Sequence, residues 1–259
     1  MRAIVGIGLV ALAACASTPD TVVLPANEQY ALAVSRFEAE EYTDAVTALQ
    51  TFVFNYPQDP RIPEARWMTA RAYDETEDWA TAAQEYLNYQ RSYPAEPRAA
   101  AALAAAAAAY QEMSLRPELD QRDTERAINV YERLLTEYPQ SELVEEARAA
   151  RARLRDKLAE KVYLNAAFYF GNEDYKAAEL YLADLIAHFT DSSWMPAGYA
   201  LLARTFCAQG LGDRAMEVAT RLRETYPDSE ASGALPDTLA SACRPVAGRA
   251  AAGAVTAVR

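Results

Sequence analysis

Small and aromatic residues recur along this chain on a fixed ruler. Five segments place an alanine eleven residues before an aromatic: Ala45 and Tyr56, Ala82 and Tyr93, Ala127 and Tyr138, Ala178 and Phe189, Ala215 and Tyr226. Proline follows the aromatic at Pro57, Pro94, Pro139 and Pro227, and Thr190 stands there in the fourth segment. In four segments a second alanine lies twelve residues earlier, at Ala33, Ala70, Ala166 and Ala203. Tyr42, Trp79 and Tyr175 sit three residues before the central alanine. Small residues at two facing positions let antiparallel helices approach closely, and the aromatic near the turn fills the wedge between them. Proline costs a helix a hydrogen bond and clashes one turn back, so each Tyr-Pro marks the end of a second helix. A helix–turn–helix of this kind cannot bury its apolar face alone, but stacked copies bury it jointly.

The expected fold class is therefore all-α: an α-solenoid of about five helix–turn–helix units resembling tetratricopeptide repeats, with one long helix joining the third and fourth. The tetratricopeptide period is 34 residues, whereas the central alanines here are 37, 45, 51 and 37 apart. Two places hold the excess. A polar loop with Pro117 runs from Ser114 to Thr124 inside the third unit, and Ser141 to Phe170 continues without proline or glycine until Gly171. The latter is roughly 45 Å of helix. Units one to three then span residues 27–140, and the long helix with units four and five spans 141–230. Residues 231–259 read as a short capping segment and a disordered, alanine-rich tail.

Composition supports helices. Glycine is low at 9, tyrosine is high at 16, and alternating β-branched residues are scarce. The net charge of −12 argues against nucleic acid, because phosphate neutralisation needs clustered Lys and Arg. It argues equally against holding an anionic membrane surface by charge, so any attachment needs another source. The start of the chain supplies one. Arg2 precedes a short apolar run ending in Leu12-Ala13-Ala14-Cys15, the layout of a signal peptide. The run is too short to span a bilayer, which needs about 20 residues. Its end resembles a bacterial lipobox, which implies removal of residues 1–14 and acylation of Cys15. Ala16 stands where an aspartate would retain a lipoprotein at the inner membrane, so the expected address is the periplasmic face of the outer membrane. Residues 15–26, with Pro19 and Pro25, read as the lipidated N-terminus and a flexible tether. An ordinary signal peptide with a chance cysteine is the alternative. In an exported protein Cys207 and Cys243 are permitted to form a disulfide, or to remain two small hydrophobes. The sequence leaves both open.

Residues for catalysis are few. His188 is the sole histidine, which excludes a multi-histidine metal site, and it sits at a helix end where a cation is an ordinary stabilising feature. The glycines are isolated and no Cys-x-x-Cys pair is present. No enzyme activity, metal or cofactor is expected. Binding surfaces are better candidates. Matching the register of the first two units to tetratricopeptide arrays turns Tyr30, Val34, Phe37, Trp67, Arg71 and Asp74 towards a groove suited to an extended peptide. The competing reading is packing between units. Arg148, Arg151 and Arg155 fall on one face of the long helix, as a partner-facing stripe or as local partners of Glu145 and Asp156. The 114–124 loop is a third candidate, since long loops in compact folds are often functional.

The whole order is similar to the BamD family. The lipobox is followed by a tether and five units with Tyr-Pro ends. Asp120, Arg122 and Asp123 lie in the loop of the third unit, and Asp156-Lys157-Leu158-Ala159-Glu160 lies in the long helix after Tyr138-Pro139-Gln140-Ser141. That resemblance, over residues 12–230, implies a non-enzymatic scaffold of the machinery that assembles outer-membrane β-barrels. It implies that the first half receives unfolded barrel precursors and the second half docks on the soluble POTRA repeats of a BamA-like barrel protein, alongside other lipoproteins of that complex. The chain departs from the family pattern in its alanine-rich tail, its alanine-rich first helix in the third unit, and Thr190. A periplasmic regulator of cell-wall or division enzymes, similar to the CpoB family, is the runner-up; such proteins usually begin with a coiled coil, and no heptad pattern precedes Tyr30. Replacing Cys15→Ser is expected to leave a precursor that is soluble or at the inner membrane. Flotation of that variant with outer-membrane vesicles would remove the lipid anchor from the reading.

Overall fold

The computed structural model describes residues 23–236 and Cys243. The expected signal peptide, Cys15, the tether as far as Val22 and most of the C-terminal tail lie outside the described residues. Ten helices pair in chain order: α1 (Ala26–Glu38) with α2 (Tyr42–Asn55), α3 (Ile62–Glu75) with α4 (Trp79–Ser92), α5 (Ala99–Glu112) with α6 (Arg122–Glu137), α7 (Val144–Gly171) with α8 (Tyr175–His188), and α9 (Met195–Ala208) with α10 (Gly212–Thr225). A short α11 (Glu230–Ala234) packs on the last pair. The fold is an all-α solenoid of helical repeats, without a strand among the described residues.

The alanine ruler explains the pairing. Ala33 and Ala45, Ala70 and Ala82, Ala107 and Ala127, Ala166 and Ala178, and Ala203 and Ala215 are all fully buried. Ala107 supplies the third pair, hidden in sequence among the alanines of α5. A methyl group at each position lets two backbones approach, and larger side chains at neighbouring positions complete the apolar stripe. Tyr56, Tyr93, Tyr138, Phe189 and Tyr226 are the C-cap residues of the five second helices. Helix α8 stops at this register although Thr190 replaces proline. Packing of the capping aromatic therefore sets the end, and proline reinforces it.

Between first and second helices the chain reverses through one left-handed residue. Glu40, Glu77 and Glu173 have φ of 60°, 59° and 62°, and Gly210 has 77°. In each case the residue lies directly after the C-cap of the first helix. Glycine adopts this conformation without penalty, and a glutamate does not. The third unit makes its reversal through the loop before Arg122 instead. That loop ends three residues sooner than the sequence suggests, because Arg122, Asp123 and Thr124 already belong to α6.

Three apolar cores follow one another. The first joins α1, α2 and the start of α3. The second runs from α3 to the first half of α7 and contains Ala147, Ala150 and Leu154. The third takes the other half of α7, with Ala159 and Ala166, and continues through α8, α9 and α10. Helix α7 has 28 residues, about 42 Å, and changes core between Leu158 and Ala159. Cys207 of α9 is bonded to Cys243, with Cα atoms 4.6 Å apart, which ties Cys243 to the last unit.

Replacing Glu77→Gly is expected to stabilise the chain by about 0.5–1 kcal/mol, since relief of the left-handed strain exceeds the added freedom of the unfolded state. Urea unfolding followed by circular dichroism measures it, and a midpoint below that of the parent chain would refute the strain.

Candidate functional site

The groove residues expected from the first two units lie on one face, and each has a partner inside the chain. The Tyr30 ring is 5.2 Å from Phe52 of α2. The guanidinium of Arg61 lies 4.7 Å from the centre of Tyr30 and 5.3 Å from that of Phe52. Arg61 is the N-cap residue of α3, and Asp59 holds it in place. The Arg61 backbone N–H and Nε donate to Oδ1 of Asp59 at 2.9 and 2.8 Å, and Nη2 donates to Oδ2 at 2.7 Å. These bonds from Arg61 hold the Asp59 carboxyl down at about 2, so the fork remains charged across the physiological range.

One unit further, Trp67 lies 5.3 Å from Tyr86 and 5.5 Å from Tyr89 of α4. Arg98, the N-cap residue of α5, covers it at 5.5 Å and pairs with Glu64. Val34 is half-buried against the first core. Phe37 meets Tyr42 at 5.5 Å and lies under Arg71 at 5.1 Å, while Arg71 also pairs with Glu75 at 3.4 Å. Asp74 accepts a hydrogen bond from the Tyr86 hydroxyl at 3.3 Å. Burial pushes the Asp74 carboxyl up, against that bond, and pushes the Tyr86 hydroxyl up as well. The face is thus an alternation of half-buried rings and arginines, with each arginine seated over a ring from the preceding unit. Such contacts contribute about 0.5–1 kcal/mol each at exposed sites.

Arg61 and Arg98 are absent from the candidates read from sequence, although a signal for them exists. Each lies sixteen residues after a central alanine, and the same count reaches Leu143 and Trp194. These four are the N-cap residues of α3, α5, α7 and α9. Between the fourth and fifth units Trp194 packs on Tyr163 with ring centres 4.9 Å apart and planes tilted by 34°, in the place Arg61 takes over Tyr30.

The three arginines of the long helix separate in role. Arg148 is exposed and pairs with Glu145, one turn away. Arg151 approaches Glu132 of α6 at 3.8 Å. Arg155 reaches the α8–α9 turn, donating to Asp191 at 3.1 and 2.9 Å and to the His188 carbonyl at 2.9 Å, and lies over Phe189 at 5.6 Å. His188 itself is exposed beside Asp184 at 2.8 Å.

Adjacent residues of α7 grip opposite halves of the molecule. Asp156 accepts from the Ser193 backbone N–H at 2.8 Å, the Ser193 hydroxyl at 2.7 Å and the Ser192 hydroxyl, all in the α8–α9 turn. Lys157 donates to the Ser114 hydroxyl at 2.7 Å, and Lys161 donates to the Leu119 carbonyl at 2.5 Å. The 114–121 loop is further closed by the Gln121 amide, which donates to the Arg116 carbonyl at 2.7 Å. Both turns are therefore strapped to the long helix from opposite sides.

Burial raises the Asp156 carboxyl, but the hydrogen bonds from Ser192 and Ser193 outweigh it and leave it below its ordinary value. A depressed carboxyl stabilises the fold above the unfolded value of about 3.9 and loses that contribution as pH falls through the folded value. Asp156→Ala is expected to cost about 1 kcal/mol at neutral pH, discounted for partial exposure. The gap from the parent chain should narrow below about pH 4. Urea titrations at the two pH values test this, and a gap independent of pH would show that the carboxylate is not the stabilising species.

No curated protein matches the chain. Among solved structures, it is similar to the TPR2AB domain of yeast Sti1 in its complex with pHSP90, at 17% identity over 80% of each chain with a TM-score of 0.40. It is similar to a tetratricopeptide repeat protein from Parabacteroides merdae at 16% identity, over 77% of this chain and 79% of that one, with a TM-score of 0.38. A thermophilic tetratricopeptide repeat protein from Thermus thermophilus shares 18% identity over 84% of this chain and 98% of its own, with a TM-score of 0.33. The repeat architecture itself rests on the helix pairing described above. The model of a family of outer membrane lipoproteins matches residues 23–230, and the chain belongs to that family, YfiO.

Proposed function

We propose that this protein is a non-enzymatic scaffold of the β-barrel assembly machinery, anchored through Cys15 to the periplasmic face of the outer membrane. It binds unfolded outer-membrane protein precursors along the first-helix face of units one and two, and docks on the POTRA repeats of a BamA-like barrel protein through its second half. The observation that carries this reading is membership of an outer membrane lipoprotein family across nearly all of the described residues. The division of labour is supported by the core boundary inside α7, which gives each partner a separately packed half. Tyr30, Val34, Phe37, Trp67, Arg71 and Asp74 form the proposed precursor face. Its half-buried rings offer apolar area, and its arginines can exchange an intramolecular carboxylate for one on a bound chain. On the partner side Arg148 is the preferred contact of the three arginines. Its ion pair with Glu145 is exposed and worth little, whereas Arg155 is committed to the α8–α9 turn.

Gentle affinity purification of the tagged protein from its own membranes tests the assignment. An outer-membrane barrel protein with soluble POTRA repeats is expected at near-equal amount, and Arg148→Glu is expected to reduce it about tenfold with helix content unchanged. Recovery of cell-wall or division enzymes in its place would overturn the reading and leave the fold intact.

A further inference from the structure

Phe54 is the most exposed large apolar side chain among the described residues, at 84%. It stands one residue before the end of α2, at the rim of a socket of about 290 Å³. Gln50, Val53 and Phe54 of α2, Arg66 and Thr69 of α3, and Glu85 of α4 line that socket. Its polar groups divide into two kinds. The Thr69 hydroxyl donates to the Ala65 carbonyl at 2.9 Å, and the Gln50 amide donates to the Tyr73 hydroxyl at 3.4 Å. Arg66 and Glu85 have no ion-pair partner among the described residues, and do not close on each other. Nε of Arg66 is buried without an acceptor. Other half-buried arginines are matched within the chain, as Arg61 is by Asp59 and Arg155 by Asp191. A buried donor without an acceptor is costly, and a half-buried charge without a counter-charge is more so. The face therefore offers a projecting ring, a ring-sized space, one uncompensated cation and one uncompensated anion.

We propose that this face pairs with the same face of a second copy of the chain about a two-fold axis, Phe54 of each copy entering the socket of the other. The set of groups is complementary to itself. A two-fold axis repeats every contact in reverse, so Arg66 meets Glu85 of the second copy while Glu85 meets Arg66 of the second copy. Each copy carries a net charge of −12, and a patch with one charge of each sign adds no net charge at the contact. A different partner would have to bring a ring, an anion and a cation in this same arrangement, which a second copy does by construction. None of the residues assigned to the precursor face lines this socket, so the pairing goes beyond that reading and is compatible with it. The start of the chain lies at the same place. The Tyr56 hydroxyl donates to the Leu24 carbonyl, and the Asn55 amide donates to Oε1 of Gln29 at 3.1 Å. The segment that leads to Cys15 thus departs from the end of α2 that carries Phe54, and a two-fold axis along the membrane normal leaves both copies' tethers on one side. Two copies anchored through Cys15 would meet at raised effective concentration.

Sedimentation velocity of the full chain, purified in detergent and run over a range of concentrations, tests the pairing, with circular dichroism melts as the check on folding. The parent is expected to show a concentration-dependent equilibrium between monomer and dimer. Phe54→Asp, Arg66→Glu and Glu85→Arg are each expected to weaken it about tenfold. Leu180→Asp, which removes another exposed apolar side chain, is expected to leave it unchanged. An equimolar mixture of Arg66→Glu and Glu85→Arg is expected to recover association as a mixed dimer, because one copy then presents two carboxylates and the other two guanidiniums. Phe54→Asp and Glu85→Arg change side chains at the surface, so the test stands even where Arg66→Glu fails to fold. A parent that stays monomeric at every concentration, a dimer indifferent to Phe54→Asp and Glu85→Arg, or a mixture of folded variants that stays monomeric would overturn the proposal. A monomeric parent whose Phe54→Asp variant loses an envelope protein on affinity purification would assign the face to that protein and overturn the pairing.

Discussion

Fully buried alanines at matching positions of paired helices set the spacing on which the rest of this molecule depends. Five pairs of fully buried alanines, from Ala33 and Ala45 to Ala203 and Ala215, bring paired helices close enough for their flanking side chains to interlock. Interiors packed at crystal-like density tolerate little added volume at such points. The aromatic C-caps, the left-handed turn residues and the N-cap residues that reach back over the preceding unit all take their positions from this spacing. Only Ala107 is obscured in sequence, because every neighbour in α5 is also alanine.

A second constraint acts at the junction. Helix α7 is shared by two cores, so neither half can turn about it without breaking apolar packing on one side. Asp156 and Lys157 add directional bonds to opposite halves, one to the α8–α9 turn and the other to the loop of the third unit. These bonds carry charge, and their partners are residues of the two turns. The loop that interrupts the third unit is consequently part of the junction, and its length is what allows Ser114 and Leu119 to reach the long helix.

The face proposed for binding follows from the same register. The first helices of units one, two and four present a position whose side chain is covered by the N-cap residue of the next first helix. Tyr30 and Trp67 are covered by arginines and Tyr163 by Trp194, whereas Ala104 and Leu143 leave the position open. A single structural slot thus appears in three states: ring under a guanidinium, ring under a ring, and vacant. The first two exchange binding area for stability, because the ring is partly spent on intramolecular packing.

Much of this was legible in the sequence, and the limits have a physical cause. The spacing of Ala45, Ala82, Ala127, Ala178 and Ala215 from their aromatics fixes five helix pairs, since helix periodicity and proline geometry are local properties. The uninterrupted run from Ser141 fixes the long helix for the same reason. The placement of Tyr30, Trp67, Arg71 and Asp74 on one face follows from register alone. Their partners do not. Whether Arg155 faces solvent or the α8–α9 turn depends on side chains 36 residues away, and the coverage of Tyr30 by Arg61 depends on the stacking of successive units. The bond between Cys207 and Cys243 likewise depends on a contact between positions 36 residues apart. Sequence by itself determined which elements form and which residues share a helix face. Only the tertiary structure decided which of those faces are already occupied, because occupancy is set by contacts between units that no local periodicity encodes.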